Sequence, residues 1–374
     1  MKIGLLFSSY GPYHIARLES LKKINSIQVN QFMGIELARS QELYPWQTRI
    51  DNLSFPIVSI IKGQSLEQIK LVFLLKKLLK VLNKVNPEIL AISGYFKISM
   101  LVSLIWCKLH NKPAILFSET TENDFERIWW KEKIKSLIVK QFKSALVGGK
   151  PHKRYLIKLG MPEEAIFCGY DVVGNDTFNP NKIKCLPNPL SKPFFLAINR
   201  FVTKKNLPFI LDAYAKYRQS SVKAAWDLVL CGDGELRWPI EQKITKLNLQ
   251  DSVHLPGFLQ QKEMLPYFAH ANCFIHASTT EQWGLVVNEA MAAGLPLLVS
   301  NHCGCFEDLV LEGVNGFGFD PTNVEELTQL MLSISSEKIG LQKMGQASLE
   351  HIKHYAPNYF ATGFAQAVEY AMKK

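Results

Sequence analysis

Several features are missing from this chain of 374 residues, and each absence narrows its class. Apolar runs such as ISMLVSLIWC at 98–107 fall well below the roughly 20 residues that a spanning helix needs. Lys2 is followed by only a short apolar run, IGLLF, before Ser8, Ser9 and Tyr10. That is too short for a secretory leader, so a cytoplasmic location is expected. The seven cysteines form no regularly spaced framework, which reads as reduced thiols rather than disulfides. His302, Cys303 and Cys305 crowd three candidate ligands into four positions, and no second pair has zinc spacing. A tight loop with buried thiols is expected there. Also missing are any Asp-x-Asp pair, a low-complexity segment and a repeat of 20–50 residues.

What is present is a soluble, globular composition, with 47% hydrophobic and 20% charged residues. The length exceeds one compact core, so two domains are expected. The charge is uneven. Residues 1–190 hold 27 Lys and Arg against 15 Asp and Glu, a balance of +12; residues 191–374 hold 16 against 18, a balance of −2. The basic half therefore suits an anionic surface.

Apolar runs alternate with helical patterns along the chain. KIGLLFS (2–8) reads as a buried first strand, and Ile15, Leu18, Leu21 and Ile24 then repeat at helical spacing. EILAIS (88–93), PAILFS (113–118) and SALVGG (144–149) continue as strands of a parallel βαβ series. Pro180, Pro187, Pro189 and Pro193 mark a linker. Beyond it, FFLAIN (194–199), WDLVLCG (226–232), SVHLPG (252–257), CFIHAS (273–278) and PLLVS (296–300) are strands, with helices at 206–219, 236–247, 261–270 and 286–293. NYFATGFAQAVEYAMKK is a terminal helix. The predicted class is α/β, with two Rossmann-like domains whose parallel sheets face a central cleft. The predicted boundaries are 1–188, 189–355, and a helix at 356–374 returning to the first domain. Ligand sites belong at the carboxyl ends of such strands.

The stretch STTEQWGLVVNEAMAAGLPLLVS (278–300) sets Glu281 in a loop and Glu289 eight residues later, in what the pattern predicts as the first turn of a helix. Gly284 permits close backbone approach there. The free amides of a helix start attract an anion. A carboxylate on each side of that anion suits a polyol–diphosphate–polyol, the shape of a nucleotide sugar. Taken singly, either glutamate is more simply a solvated or helix-favouring residue. A second segment adds weight: FFLAINRFVTKKN puts Arg200, Lys204 and Lys205 just beyond a strand end, in an expected solvated cleft. Arg200 and Lys205 are candidates to neutralise a leaving diphosphate in place of a metal ion.

With those residues in view, the chain resembles glycosyltransferase family 4, within the glycosyl transferases group 1. EQWGLVVNEAMAAGLP is similar to its E-x7-E signature, NRFVTKKN to its "GR...KG" loop, and LCGDGELR to its Gly-rich loop. VHLPGFL resembles its base-binding loop and LVLEGVNGFGFDP its following segment, so residues ~194–335 carry the likeness. The resemblance implies the GT-B fold and retaining transfer from a nucleotide-diphosphate sugar. It also implies roles: Glu281 for the donor sugar's hydroxyls, Glu289 for the ribose, Arg200 and Lys205 for the diphosphate. Backbone amides of Trp283, Gly284, Leu285 and Val286 would meet sugar and phosphate, and the loop at Gly257 would line the base. Asn199 stands where Gly is usual, Trp283 replaces a Phe, and Cys303–Cys305 replaces a Gly pair. Trp283 is expected to reshape the sugar pocket.

The first half resembles the family more loosely. SSYGPYHIARLESL has one glycine, Gly11, whose amide is expected near the donor phosphates. His14 is either an acceptor or phosphate contact or a helix cap. Glu119 stands where many members have a His, with Ser118, Thr120 and Asp124 nearby. It is read as positioning the acceptor hydroxyl, as a base, or as a structural loop residue. In the family the departing diphosphate is generally described as taking the acceptor proton. GYDVVGNDTF (169–178) is similar to the family's closing segment.

Two helical stretches carry much of the basic excess. IKLVFLLKKLLKVLNKV puts Leu71, Leu74, Leu75, Leu78, Leu82 and Val85 on one face and Lys70, Lys77, Lys80 and Lys84 off it. Packing on the sheet is its simpler reading. WWKEKIKSLIVKQFK mixes Trp129 and Trp130 with Lys131, Lys133, Lys135, Lys140 and Lys143, which suits an anionic membrane interface as well as a packed helix. No nucleic-acid motif accompanies the charge. The sequence therefore leads to a metal-independent hexosyltransferase-type enzyme without cofactor, using a nucleotide-sugar donor. Its acceptor would be a sugar, a lipid-linked or a polysaccharide intermediate, on the inner face of a membrane. The rivals are a nucleotide-sugar epimerase on the same fold and a catalytically silent sugar-binding partner.

Overall fold

The computed structural model describes residues 1–22, 31–41, 53, 55–221, 225–336 and 340–373. The chain divides into two compact units, Met1–Val173 with Tyr355–Lys374, and Gly174–His354. In chain order the first unit holds β1 (Lys2–Phe7), α1 (Pro12–Leu21), β2 (Gln31–Ser40), β3 (Ile57–Ser65), α2 (Leu71–Val85), β4 (Ile89–Ser93), α3 (Ile98–Leu109), β5 (Ala114–Ser118), α4 (Trp129–Val139), β6 (Ser144–Val147), α5 (Lys150–Lys158) and β7 (Ile166–Cys168). The second holds α6 (Asn175–Phe178), α7 (Pro180–Ile183), β8 (Phe194–Ile198), α8 (Leu207–Ser220), β9 (Asp227–Cys231), α9 (Arg237–Lys246), β10 (Val253–Gly257), α10 (Gln261–His270), β11 (Cys273–His276), α11 (Leu285–Ala292), β12 (Leu297–Ser300), α12 (Phe306–Leu309), β13 (Gly316–Phe319), α13 (Val324–Ile334) and α14 (Leu341–Ile352). The last helix, α15 (Pro357–Met372), belongs to the first unit.

Both sheets are parallel. The first runs β3-β2-β1-β4-β5-β6-β7 and the second β10-β9-β8-β11-β12-β13. Strands such as ILAIS and AILFS bury almost every residue, as a sheet covered on both faces requires. From β3 to β7 each connection steps the same way along the sheet, so right-handed crossovers put α2, α3, α4 and α5 on one face. One apolar cluster accordingly joins Leu78 of α2, Met100 of α3, Val139 of α4 and Leu156 of α5. The β1-to-β2 step runs the other way, and Leu18 of α1 shares the opposite core with Phe360 and Phe364 of α15.

In α2 the residues Leu74, Leu78, Leu82 and Val85 fall on one side and are buried. Leu71, expected on that stripe, is exposed because it lies in the first turn, beyond the sheet-facing arc. Asn86 ends the helix with φ 44°, a left-handed cap. Ile24 lies outside the described residues.

The units divide at Val173–Gly174 rather than after the proline cluster. The reason is packing: α6 rests on α10 and α11, and α7 on α10. In α15, by contrast, Ala367 O accepts a bond of 2.7 Å from the buried Ser144 Oγ of β6.

Candidate active site

In an open parallel sheet a ligand crevice forms where the strand order reverses. In the second unit that point lies between β8 and β11. The loop after β8 carries Arg200 and the turn Thr203–Lys205; the loop after β11 carries Ser278 and Glu281. They are tied together: Thr279 N donates to Lys204 O at 2.9 Å. The β8 loop is also seated on the Gly-rich loop after β9, through Asn199 N to Cys231 O (3.0 Å) and Phe201 N to Asp233 O (2.8 Å). Gly232 is needed there, because a Cβ would sit 1.8 Å from Asn199 O. Thus the glycine of the "LCGDGELR" segment fixes where Arg200 stands, half-buried beyond β8.

Glu281 is at the centre. Its carboxylate pairs with Lys205, lies 3.4 Å from Lys204 Nζ, and accepts from Ser278 Oγ at 3.1 Å. His276 Nε2 lies 3.6 Å away. The Lys205 and Glu281 side chains are each 12% exposed. Burial pushes the Glu281 pKa up, but the His276 ring beside it and the charges of Lys205 and Lys204 outweigh it and hold the group far below the usual carboxylate range. Glu281 is therefore ionised. Burial, reinforced by Lys205, lowers the pKa of His276, which stays neutral. Its Nε2–H faces Ser278 Oγ at 3.3 Å and Glu281, while its buried Nδ1 meets no protein partner.

Two expectations need correction here. Lys205 does not stand in a solvated cleft apart from Glu281; the two form one mostly buried ion pair, since neither charge could be buried alone. Glu289 is not in the first turn: α11 begins at Leu285, so Glu289 is its fifth residue, and it is 1% exposed. The Trp283 ring is held within the protein. It is buried, and its Nε1–H donates to Asn288 Oδ1 at 2.8 Å.

The start of α11 is otherwise as read. Gly284 caps it with φ 107°, a conformation few other residues adopt. Leu285 and Val286 begin the helix, where amides have no acceptor within it. Glu281 O accepts from Gly304 N (2.9 Å) and Trp283 O from Cys305 N (3.2 Å), which pins the loop from behind. Burial pushes the thiols of Cys303 and Cys305 up, and the Glu281 charge adds to this, so both remain protonated packing groups. Gly257 ends β10 with φ 88°, and its carbonyl accepts from Gly232 N at 2.8 Å. Among the described residues no group of three His, Cys, Asp or Glu side chains is placed to hold a metal ion.

In the first unit the order reverses between β1 and β4, and Lys97 Nζ reaches across to Ser8 Oγ at 2.8 Å. The amide of Gly11 is not available to a phosphate: it donates to His14 Nδ1 at 3.2 Å. His14 is thus the cap of α1. Burial, with Arg17 beside it, lowers its pKa to about 3, so it brings no charge to an anion. Asp124 is likewise a loop cap, accepting from Thr121 N (2.9 Å) and Thr121 Oγ1 (2.6 Å). Glu119 does find a partner: its carboxylate is electrostatically coupled to Asp171, which is buried. Burial first, then the Glu119 charge, raises the Asp171 pKa well above the usual range against the pull of Arg17. Arg17 Nη2 lies 3.4 Å from Asp171 Oδ1, and its guanidinium sits 4.5 Å over the Tyr170 ring. Trp129 and Trp130 are exposed on α4, beside Lys133 and Lys131.

Sequence reasoning missed His276, Asp171 and Arg17, and noted Asn199 only as a departure from the family's Gly. Each had a signal: a polar residue ending an apolar strand, an acid inside "GYDVVGN", a base one turn after Pro12, and a polar residue beside Arg200. Asn199 is buried, and neither atom of its carboxamide meets a protein partner.

Comparison with known proteins places the chain among glycosyltransferases in sequence and fold. Residues 179–351 match the family model "Glycosyl transferases group 1". Alpha-monoglucosyldiacylglycerol synthase of Acholeplasma laidlawii is 23% identical over 96% of this chain and 95% of its own length. Sulfoquinovosyl transferase of Arabidopsis thaliana is 26% identical over 49% of this chain; the match spans only 36% of that protein's length. Among solved structures, Anabaena HepE in complex with UDP-glucose superposes with a TM-score of 0.76, at 18% identity over 99% of both chains. Sucrose-phosphate synthase from Thermosynechococcus elongatus gives 0.78 at 16% identity, over 99% of this chain and 98% of its own. The fold is that of GT-B glycosyltransferases, with two Rossmann-like, parallel-sheet domains.

Proposed function

We propose that this chain, GT-B in fold and matching glycosyl transferases group 1 over residues 179–351, is a retaining glycosyltransferase of the family 4 type. It moves a sugar from a nucleoside-diphosphate donor to an acceptor hydroxyl without metal or other cofactor. The observation that carries this is the ionised Glu281 paired with Lys205 at the strand-order reversal, beside the start of α11.

The chemistry follows from charge. Glu281 is acceptor-only and holds sugar hydroxyls. As the bond from the anomeric carbon to the diphosphate breaks, negative charge grows on the leaving oxygens. Lys205, Arg200 and the first amides of α11 stabilise that charge. Each unit-charge contact at ~4 Å and an effective dielectric of ~20 is worth on the order of 4 kcal/mol before desolvation. The acceptor oxygen bonds to the anomeric carbon on the face the diphosphate leaves, and its proton passes to the departing diphosphate. Glu289 binds the ribose, the loop at Gly257 lines the base, and Glu119 orients the acceptor hydroxyl.

A lipid-linked or polysaccharide acceptor is favoured. The diacylglycerol in one relative's name and the +12 balance of residues 1–190 both support it. The protein then works peripherally at the inner face of a membrane. A thermal-shift screen against nucleoside diphosphates and their sugars, beginning with UDP and UDP-glucose, tests the donor. At least one should raise Tm by mass action, and the shift should shrink in Arg200→Ala. No shift with any of them sinks the proposal.

A further inference from the structure

The helix layer on one face of the first sheet is covered, on its outer side, with apolar side chains. In α3 the residues Ile98, Ile105 and Leu109 are exposed, Leu109 by 76%, and Val102 between them is partly so. Their spacing of four, three and four puts them in one outward stripe along the whole helix. Ser99, Met100, Ser103, Leu104, Trp106 and Cys107 occupy the buried side. A soluble helix would carry charge on that outer stripe. In α4 the residues Trp130, Ile134 and Leu137 form a second exposed stripe at the same spacing.

The aromatic residues are gathered at one edge. In a parallel sheet all the crossover helices begin at the carboxyl ends of the strands. At those beginnings stand Phe73 in α2, Phe96 just before α3, and Phe125 and Trp129 at the approach to α4. All are exposed, Phe96 by 88% and Trp129 by 70%. Scattered single apolar residues need no explanation, but an aromatic rim continuous with two apolar stripes marks an interaction surface.

Charge decides the occupant. Exposed lysines flank the apolar stripes: Lys76, Lys77 and Lys80 on α2, Lys108 on α3, Lys131 and Lys133 on α4. Across the three helices the single acidic residue is Glu132. Its carboxylate is taken by Lys135 Nζ (2.7 Å) and Tyr155 Oη (2.7 Å). A second copy of the chain would set lysines against lysines. An anionic bilayer offers phosphates to the ammonium groups and acyl chains to the stripes, with the aromatic rings at headgroup depth.

We infer that the outer face of α2, α3 and α4, led by its aromatic rim, is a docking surface for anionic lipid bilayers. This rests on the peripheral placement proposed above and assigns it a surface. The α3 stripe is the apolar insert, the lysines supply attraction, and the carboxyl edge of the first sheet, where Glu119 stands, is held at the headgroups.

The test uses the full chain. Co-sedimentation is measured with vesicles of phosphatidylcholine alone and with added phosphatidylglycerol. The variants are Ile105→Ser with Leu109→Ser, and Lys76→Glu with Lys80→Glu. All four positions are exposed, so the fold should survive; circular dichroism and the melting curve of each variant without ligand check this independently. The wild type should bind anionic vesicles at low salt, and each double variant should lose about ten-fold or more of its partitioning. Brominated lipids should quench fluorescence in the wild type and much less in Trp129→Phe with Trp130→Phe. Unchanged binding by the α3 variant overturns the surface, as does equal binding to neutral vesicles. So does a concentration-dependent dimer that the α3 variant abolishes. A missing nucleotide shift alongside normal vesicle binding counts against the donor reading and leaves this one standing.

Discussion

Replacing Lys205 and Glu281 separately and together measures the ion pair on which the candidate site is built. Lys205→Met leaves a carboxylate that is mostly buried, with Lys204 at 3.4 Å and Ser278 at 3.1 Å still beside it. Losing one partner of a fully buried pair costs about 3–5 kcal/mol, and exposed pairs are worth about 0–1 kcal/mol. With both side chains 12% exposed and a second lysine in reach, about 1–3 kcal/mol is expected for Lys205→Met. Glu281→Gln also strands Lys205, so it should cost a similar amount. The double variant should cost less than the sum, because neither charge is then left alone, and the coupling should be about 1–2 kcal/mol. The assay is urea unfolding of the four proteins, read on the transition that bound nucleoside diphosphate moves, since two compact units need not unfold together. The pH dependence follows from the depressed pKa of Glu281. Its contribution is present above the ordinary value of 4.5 and is lost as pH falls toward its native pKa. The gap between wild type and Lys205→Met should therefore be full at neutral pH and shrink on acidification below that value. Strict additivity, or a gap independent of pH, would mean that the two residues do not act as a pair.

Other outcomes follow from the same geometry. Arg200→Ala should lower kcat/KM by on the order of 10²-fold or more, read by initial rates, with stability changed far less than in Lys205→Met. Glu289→Gln should chiefly weaken calorimetric binding of a bare nucleoside diphosphate, and Glu281→Gln should chiefly lower kcat; equal loss of diphosphate affinity in both would undo that division. Activity should persist in excess EDTA, whereas abolition with rescue by Mg²⁺ or Mn²⁺ would return the acidic residues from Glu119 to Asp124 to consideration. His14→Gln should lower stability without changing the affinity for nucleoside diphosphates, as expected of a helix cap; a large affinity loss would restore it as a ligand contact.

The fold was legible where apolar runs are uninterrupted. ILAIS, AILFS, FFLAI and DLVLC are strands because their side chains are buried on both faces. The strands without that signal went unread. β2 carries the buried Glu36, whose carboxylate accepts from Tyr10 N (2.9 Å) and Ser59 Oγ (2.5 Å); from sequence it is only a charge breaking a run. β13, GFGF, is half glycine, and β7 has three residues. The site was legible in kind and less so in arrangement. The E-x7-E spacing pointed to the loop after β11 and the start of α11, but Lys205 and Glu281 are 76 residues apart, so their pairing belongs to the tertiary fold. Local competition explains the other misses. His14 and Asp124 serve the backbone amides of Gly11 and Thr121, which lie three residues before them. The run at 98–107 was too short to span a membrane, and only its burial pattern reveals that one of its sides faces outward.

Transfer itself, with its stereochemistry, bears most directly on the function proposed for this site. The donor that gives the largest thermal shift is incubated with a diacylglycerol-type or sugar acceptor, and the anomeric configuration of the product is read by proton NMR. A new glycosidic bond with the donor's own anomeric configuration, formed by wild type and nearly lost in Glu281→Gln and Lys205→Met, is the predicted result. An inverted product, an epimerised donor with no transfer, or full activity in both variants would contradict it.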